Sequence, residues 1–153
     1  MRWLVFSILF IGLFSLSVSA EETCITFNST NTLELISDIP SISSELSSCN
    51  IALPEQISSL LNNKNVLISI NMNSGSVEKF YLSMVDGYIS SLNPGQPETY
   101  SYNIILSETT LDNILSSENM VDSLILAYNN DQIVVDPSGV WNNMVWFFAS
   151  WFI

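Results

Sequence analysis

Histidine is absent from all 153 residues. Without an imidazole, Ser–His and Cys–His nucleophile activation and the commonest zinc sites are excluded. Positive charge is scarce as well. Three Lys+Arg stand against 15 Asp+Glu, a formal net charge of −12. No basic stripe exists to release counterions from a polyanion, so nucleic acid is excluded as a partner. The two cysteines lack the Cys-x-x-Cys spacing and have no cation beside them to favour a thiolate. Charged residues reach only 12% while apolar residues reach 48%, which excludes a disordered acidic tail and leaves one globular domain of ordinary size. Among the carboxylates, Asp112, Glu118 and Asp122 are the candidates for acid–base work. The helices expected there keep all three off the apolar face, where burial would raise a pKa. Asp131 and Asp136 flank a short strand, but no Gly-containing loop of alternating acidic ligands surrounds them, so no calcium site is expected. The chain reads as non-catalytic, with no cofactor.

What is present begins with Arg2 and an apolar run from Trp3 to Leu16, followed by Ser17-Val18-Ser19-Ala20. A basic start, a short apolar stretch and small residues at −3 and −1 are the pattern of a secretory signal peptide, here 1–20, cleaved after Ala20. As a helix the apolar run spans about 21 Å, short of the roughly 30 Å of a bilayer core. The expected location is exported or secreted: periplasmic, extracellular or within the secretory pathway. In an oxidising compartment Cys24 and Cys49 are expected to pair as a disulfide. Asn28-Ser29-Thr30 makes Asn28 a candidate glycosylation acceptor.

Residues 21–65 read as a short helical, disulfide-pinned extension. Leu33, Ile36 and Ile39 suggest a helical turn broken at Pro40, after which Ile42, Leu46 and Cys49 share one face. Pro54 opens another short helix carrying Ile57, Leu60 and Leu61, ended by Asn62-Asn63. From Val66 the period changes to two. Val66, Ile68, Ile70 and Met72 mark a half-buried strand, and Phe80, Leu82 and Met84 mark a second. Asp86-Gly87 is a hairpin turn leading into Tyr88 to Leu92. Past the Asn93-Pro94-Gly95-Gln96-Pro97 break, Tyr102, Ile104 and Leu106 mark a fourth strand of an antiparallel meander. Ser107 caps a helix bearing Leu111, Ile114 and Leu115, and Val121, Leu124, Ile125 and Tyr128 form the stripe of another, ended by Asn129-Asn130. Gln132 to Asp136 is a fifth strand. In the final segment, Val140 to Ile153, Trp141, Met144, Val145, Phe148, Trp151 and Phe152 form an apolar stripe fit to cover the sheet. Trp146 and Phe147 lie off it and offer a membrane or partner contact.

The meander running into Tyr102-Asn103-Ile104-Ile105-Leu106-Ser107-Glu108-Thr109-Thr110-Leu111 resembles the sterol-carrier-protein type-two (nonspecific lipid-transfer) family. So does the order that follows: Leu124-Ile125-Leu126-Ala127-Tyr128-Asn129-Asn130, the strand Gln132-Ile133-Val134-Val135, and a terminal helix. The resemblance covers about Val66 to Phe152. Cys24 to Cys49 has no counterpart in it, and Ser117 and Asn129-Asn130 stand where the family often carries Gly. It implies an α+β fold with a five-stranded, mainly antiparallel sheet covered on one face by helices, in a sterol-carrier-like lipid-binding domain, 66–153. An apolar small molecule or lipid would lie between sheet and helices, in a tunnel walled by Ile68, Ile70, Leu82, Ile104, Leu111, Leu115, Leu124, Met144, Val145 and Phe148. The same residues would also serve as a filled core, in which case the chain is a secreted structural or protein-interaction domain.

Overall fold

The computed structural model describes residues 29–49, 51–52 and 61–139. It begins with α1 (Thr32–Ser48), whose N-cap Asn31 accepts the Glu34 amide at 3.0 Å. Glu34 reaches back to the Thr30 amide and hydroxyl at 2.8 and 2.9 Å, a reciprocal cap that satisfies donors left over at the helix start. Ahead of the cap the chain turns back along the helix, because the Ser29 hydroxyl donates to Asp38, two turns further on, at 2.9 Å. The two half-helices expected around Pro40 are one helix of 17 residues. An interior proline costs about 3 kcal/mol. The stripe Leu35, Ile39, Ile42 and Leu46 runs unbroken across it, and each of those side chains contributes about 1.5–3 kcal/mol by burial, so packing wins. Leu33 and Ile36 lie off that stripe, Leu33 exposed and Ile36 half-buried.

After α1 come β1 (Ile51–Ala52), β2 (Asn65–Asn71), β3 (Val77–Val85), β4 (Tyr88–Pro94), β5 (Tyr102–Ser107), α2 (Glu108–Leu115), α3 (Met120–Asn129) and β6 (Ile133–Pro137). They form an α+β fold around one six-stranded mixed sheet, in the order β1-β4-β3-β2-β5-β6. Asp86 and Gly87 both take positive φ, 51° and 82°, so the expected β3–β4 hairpin turn is the one built. Ser107 caps α2, accepting the Thr110 amide at 3.1 Å, as its position before the apolar stripe implies. The helix expected from Pro54 lies outside the described residues, apart from its end at Leu61. The terminal segment from Val140 also lies outside them.

The sheet departs from the expected meander at β5. Strands β2, β3 and β4 pair antiparallel in sequence order, but β5 lies beside β2 and parallel to it, with Ile68 opposite Ile104. Residues 95–101 must therefore return from the end of β4 to the start of β2. Their anchors trace the path. Gly95 donates to the Lys79 carbonyl at 2.8 Å, Lys79 donates to Gln96 at 2.8 Å, and at the far end Asn65 donates to the Thr99 carbonyl at 3.0 Å. By the alternation of the strands, Lys79 and Asn65 project from the face opposite the helices, so the return crosses that face over Leu67. This explains a second departure: β2 is buried on both sides from Val66 to Ile70, with Leu67 only 1% exposed, rather than half-buried. The added sixth strand is β1, two residues long against Tyr88 and Ile89. Beyond Ile89 the outer edge of β4 has no strand partner among the described residues, which is why the strand can run on into Pro94. The turn after α3 uses Asp131 (φ 56°) as its left-handed residue, with Asn130 at φ −92°.

The helices cover the remaining face. Stripe residues of α1, together with Ile51 and Leu61, share one apolar core with Val66, Ile68, Ile70, Leu82, Ile104 and Leu106 of the sheet and Leu111, Ile114 and Leu124 of α2 and α3. The N-terminal helix is thus packed as part of the same unit as the sheet. Its joint with α2 is polar: the Thr32 amide donates to Asp112 at 2.7 Å and the Thr32 hydroxyl to the Glu108 carbonyl at 3.3 Å.

Candidate ligand groove

Beside its buried stripe, helix α1 carries a second row without charge. Leu33, Ile36, Pro40 and Ser43 follow one another there at three- and four-residue steps, apolar as far as Pro40 and ended by a hydroxyl. Leu33 and Pro40 are exposed, Ile36 and Ser43 half-buried. The acidic residues Glu34, Asp38 and Glu45 occupy the other flank by the same spacing. Where the uncharged flank meets the ends of β3 and β4, an open groove of about 310 Å³ is lined by Ile36, Ile39, Val77, Phe80, Pro94 and Gly95, with Glu78, Lys79 and Gln96 as its polar members. Two of the walls, Ile39 and Phe80, belong to the core itself, at 2% and 5% exposure. Val77 is half exposed, at 50%. The groove is therefore a notch at the margin of the core, with Glu78 on the same face of β3 as Phe80, while the Lys79 and Gln96 side chains are paired with each other toward the opposite face of the sheet.

The tunnel candidates fall elsewhere. Ile68, Ile70, Leu82, Ile104, Leu111, Leu115 and Leu124 are buried together in the core, and none of them is among the groove's lining residues. Met144, Val145, Phe148, Trp146 and Phe147 lie outside the described residues, as do Asn28 and Cys24. Cys49 is buried at the end of α1. The sequence pattern does not separate a groove wall from a core wall. Ile36 and Ile39 read there as one interrupted turn, and Pro94 and Gln96 as a break between strands.

Two of the carboxylates considered for chemistry, Asp112 and Asp122, have structural roles. Asp112 holds α1 against α2, and Asp122 accepts from the side chain of Asn119, the N-cap of α3, at 2.6 Å. Glu108 accepts the Asn73 amide at 2.6 Å, fixing the β2–β3 turn to the start of α2. The carboxyl of Glu34 is held below its ordinary range by the amide and hydroxyl of Thr30, while burial pushes the phenol of Tyr102 above its own. Among the described residues no three Asp, Glu or Cys side chains are placed to hold a metal ion, and no helix is long and apolar enough to cross a membrane.

No family model matches this sequence, and no curated protein matches it significantly. Solved structures do. The chain is similar to sterol carrier protein 2 like 2 of Aedes aegypti at 13% identity, over 75% of this chain and 94% of that one, with a TM-score of 0.47. It is similar to the apo form of sterol carrier protein 2 of Yarrowia lipolytica at 11% identity, over 74% and 92%, with a TM-score of 0.41. A third is UbiJ-SCP2, a ubiquinone synthesis protein, at 11% identity, over 69% and 85%, with a TM-score of 0.40.

Proposed function

We propose that this protein is an exported, non-catalytic lipid-binding or lipid-carrier protein. The observation that carries the reading is the groove, an apolar notch whose walls Ile39 and Phe80 continue into the core. A site for an aliphatic ligand needs concave apolar walls and few polar groups, and this one has six apolar or glycine members to three polar ones. The resemblance of about Val66 to Phe152 to the sterol-carrier family supports the same class of ligand. Export rests on the pattern of Arg2 to Ala20, and in that compartment Cys24 pairs with Cys49 and Asn28 is open to glycosylation. The ligand is bound without chemistry, in keeping with a chain that has no histidine and whose Asp112 and Glu108 are occupied in holding elements together.

The complete burial of Ile68, Ile70, Leu82 and Ile104 favours a second reading, a secreted structural or interaction domain with a filled core. One experiment separates the two. The protein is purified from a eukaryotic secretion host and examined by native mass spectrometry and solvent extraction. Co-purifying lipid, lost in an Ile36→Asp variant, is the result expected. Absence of any bound lipid, with no uptake of fluorescent aliphatic probes, overturns the lipid-binding reading.

A further inference from the structure

We infer that the groove takes a single-chain aliphatic molecule with an uncharged head, such as a long-chain alcohol or monoacylglycerol, in preference to fatty acid anions and sterols; the inference rests on the lipid-binding reading above. Size carries the first half. The groove measures about 310 Å³, at the small end of ligand pockets. A rigid fused-ring skeleton adapts less readily than a flexible chain to a groove at that end of the range.

Charge carries the second half. The charged lining residues are Glu78 and Lys79, one of each sign. The Lys79 ammonium already donates to the Gln96 side chain at 2.8 Å. The charges nearest the groove on α1, Glu34 and Asp38, lie on its other flank, and the whole chain stands at −12. A carboxylate head would meet Glu78 and the repulsive field of the molecule, and the one lysine nearby is turned toward the opposite face of the sheet and engaged there. A hydroxyl head meets neither penalty and can donate to the Glu78 carboxylate, which shares a face of β3 with Phe80.

The test uses the full chain and a fluorescent aliphatic probe displaced by 1-alkanols of six to fourteen carbons, by decanoate, and by cholesterol. Alkanol affinity is expected to tighten about fourfold per added methylene and to level off within the series. Decanol should bind at least tenfold tighter than decanoate at pH 7.5. Glu78→Gln, a change at an exposed position, should narrow that ratio, and Val77→Asp should abolish alkanol binding while the far-ultraviolet dichroism is unchanged. Equal or tighter binding of decanoate overturns the inference, as does an affinity that keeps rising to fourteen carbons. Cholesterol binding without alkanol binding overturns the inference and leaves the lipid-binding reading standing. Failure of every apolar compound overturns both.

Discussion

At the scale of single residues, polar side chains in this protein join elements that apolar packing alone would leave loosely registered. Thr32 is fully buried, and its amide is one of the donors that the start of a helix leaves over, so Asp112 meets a requirement set by α1 rather than by any reaction. Asp112→Ala should cost about 1.5–3 kcal/mol in urea unfolding, the range for hydrogen bonds to charged groups, whereas Asp112→Asn keeps an acceptor and should cost less than half as much. Glu34 gives a pH-dependent counterpart. Its pKa in the folded protein is lowered from 4.5, so the folded state binds fewer protons than the unfolded chain, and its contribution to stability is complete above that value. That contribution disappears as the pH falls through the folded value. Glu34→Gln should lower the urea midpoint slightly at neutral pH, and the gap from the parent protein should close in acid. A gap that widens in acid would show that the Thr30 contacts do not favour the carboxylate. The caps were legible in sequence where the residue type announces them, as at Ser107. Asn119, in a run of Ser, Glu and Asn, offered no contrast by which to choose it.

At the scale of elements, periodicity identified the strands from Val66 to Leu106 because alternation survives in the sequence whatever the strand pairs with. It could not give the direction of β5, since Tyr102, Ile104 and Leu106 read the same beside a parallel or an antiparallel neighbour. Nor could it join the halves of α1. The local signal of Pro40 points to a break, and only the stripe from Leu35 to Leu46, bearing on a sheet far along the chain, overrules it. The groove was illegible for a related reason, because its walls are made where α1 meets the ends of β3 and β4. Helix α1 also sets a limit on the proposed Cys24–Cys49 bridge. Cys49 stands eleven residues beyond Asp38, on the same side of the helix and about 16 Å further along it. Ser29 is tied to Asp38, and the five steps back to Cys24 reach at most about 17–18 Å when extended. With the roughly 4.4–6.8 Å that a disulfide itself spans between Cα atoms, the bridge closes with only a few ångströms to spare. Deleting Ile25, Thr26 and Phe27 should leave two titratable thiols in the oxidised protein or release α1, whereas inserting two residues there should preserve the bridge. A deletion variant that stays bridged at unchanged stability would refute the proposed pairing path.

At the scale of the whole molecule, most apolar side chains among the described residues belong to one core, and the scattered carboxylates there lie outside it. The return of residues 95–101 across the sheet adds a consequence in time. Strands β2, β3 and β4 join through short connections and can form early, but β5 reaches β2 only after both hairpins exist and the chain has crossed back over Leu67. The parallel seam, with Ser69 donating to Asn103 across it at 2.8 Å, should be the last part of the sheet to form and the first to open. In stopped-flow experiments Asn103→Ala should chiefly accelerate unfolding and leave the folding rate nearly unchanged, whereas Leu82→Ala, in the β3–β4 hairpin, should slow folding. The opposite assignment of rates would place the seam in the folding nucleus. If the order holds, the polar face of the sheet closes late, and the lifetime of the folded protein is governed by the strand whose direction the sequence left open.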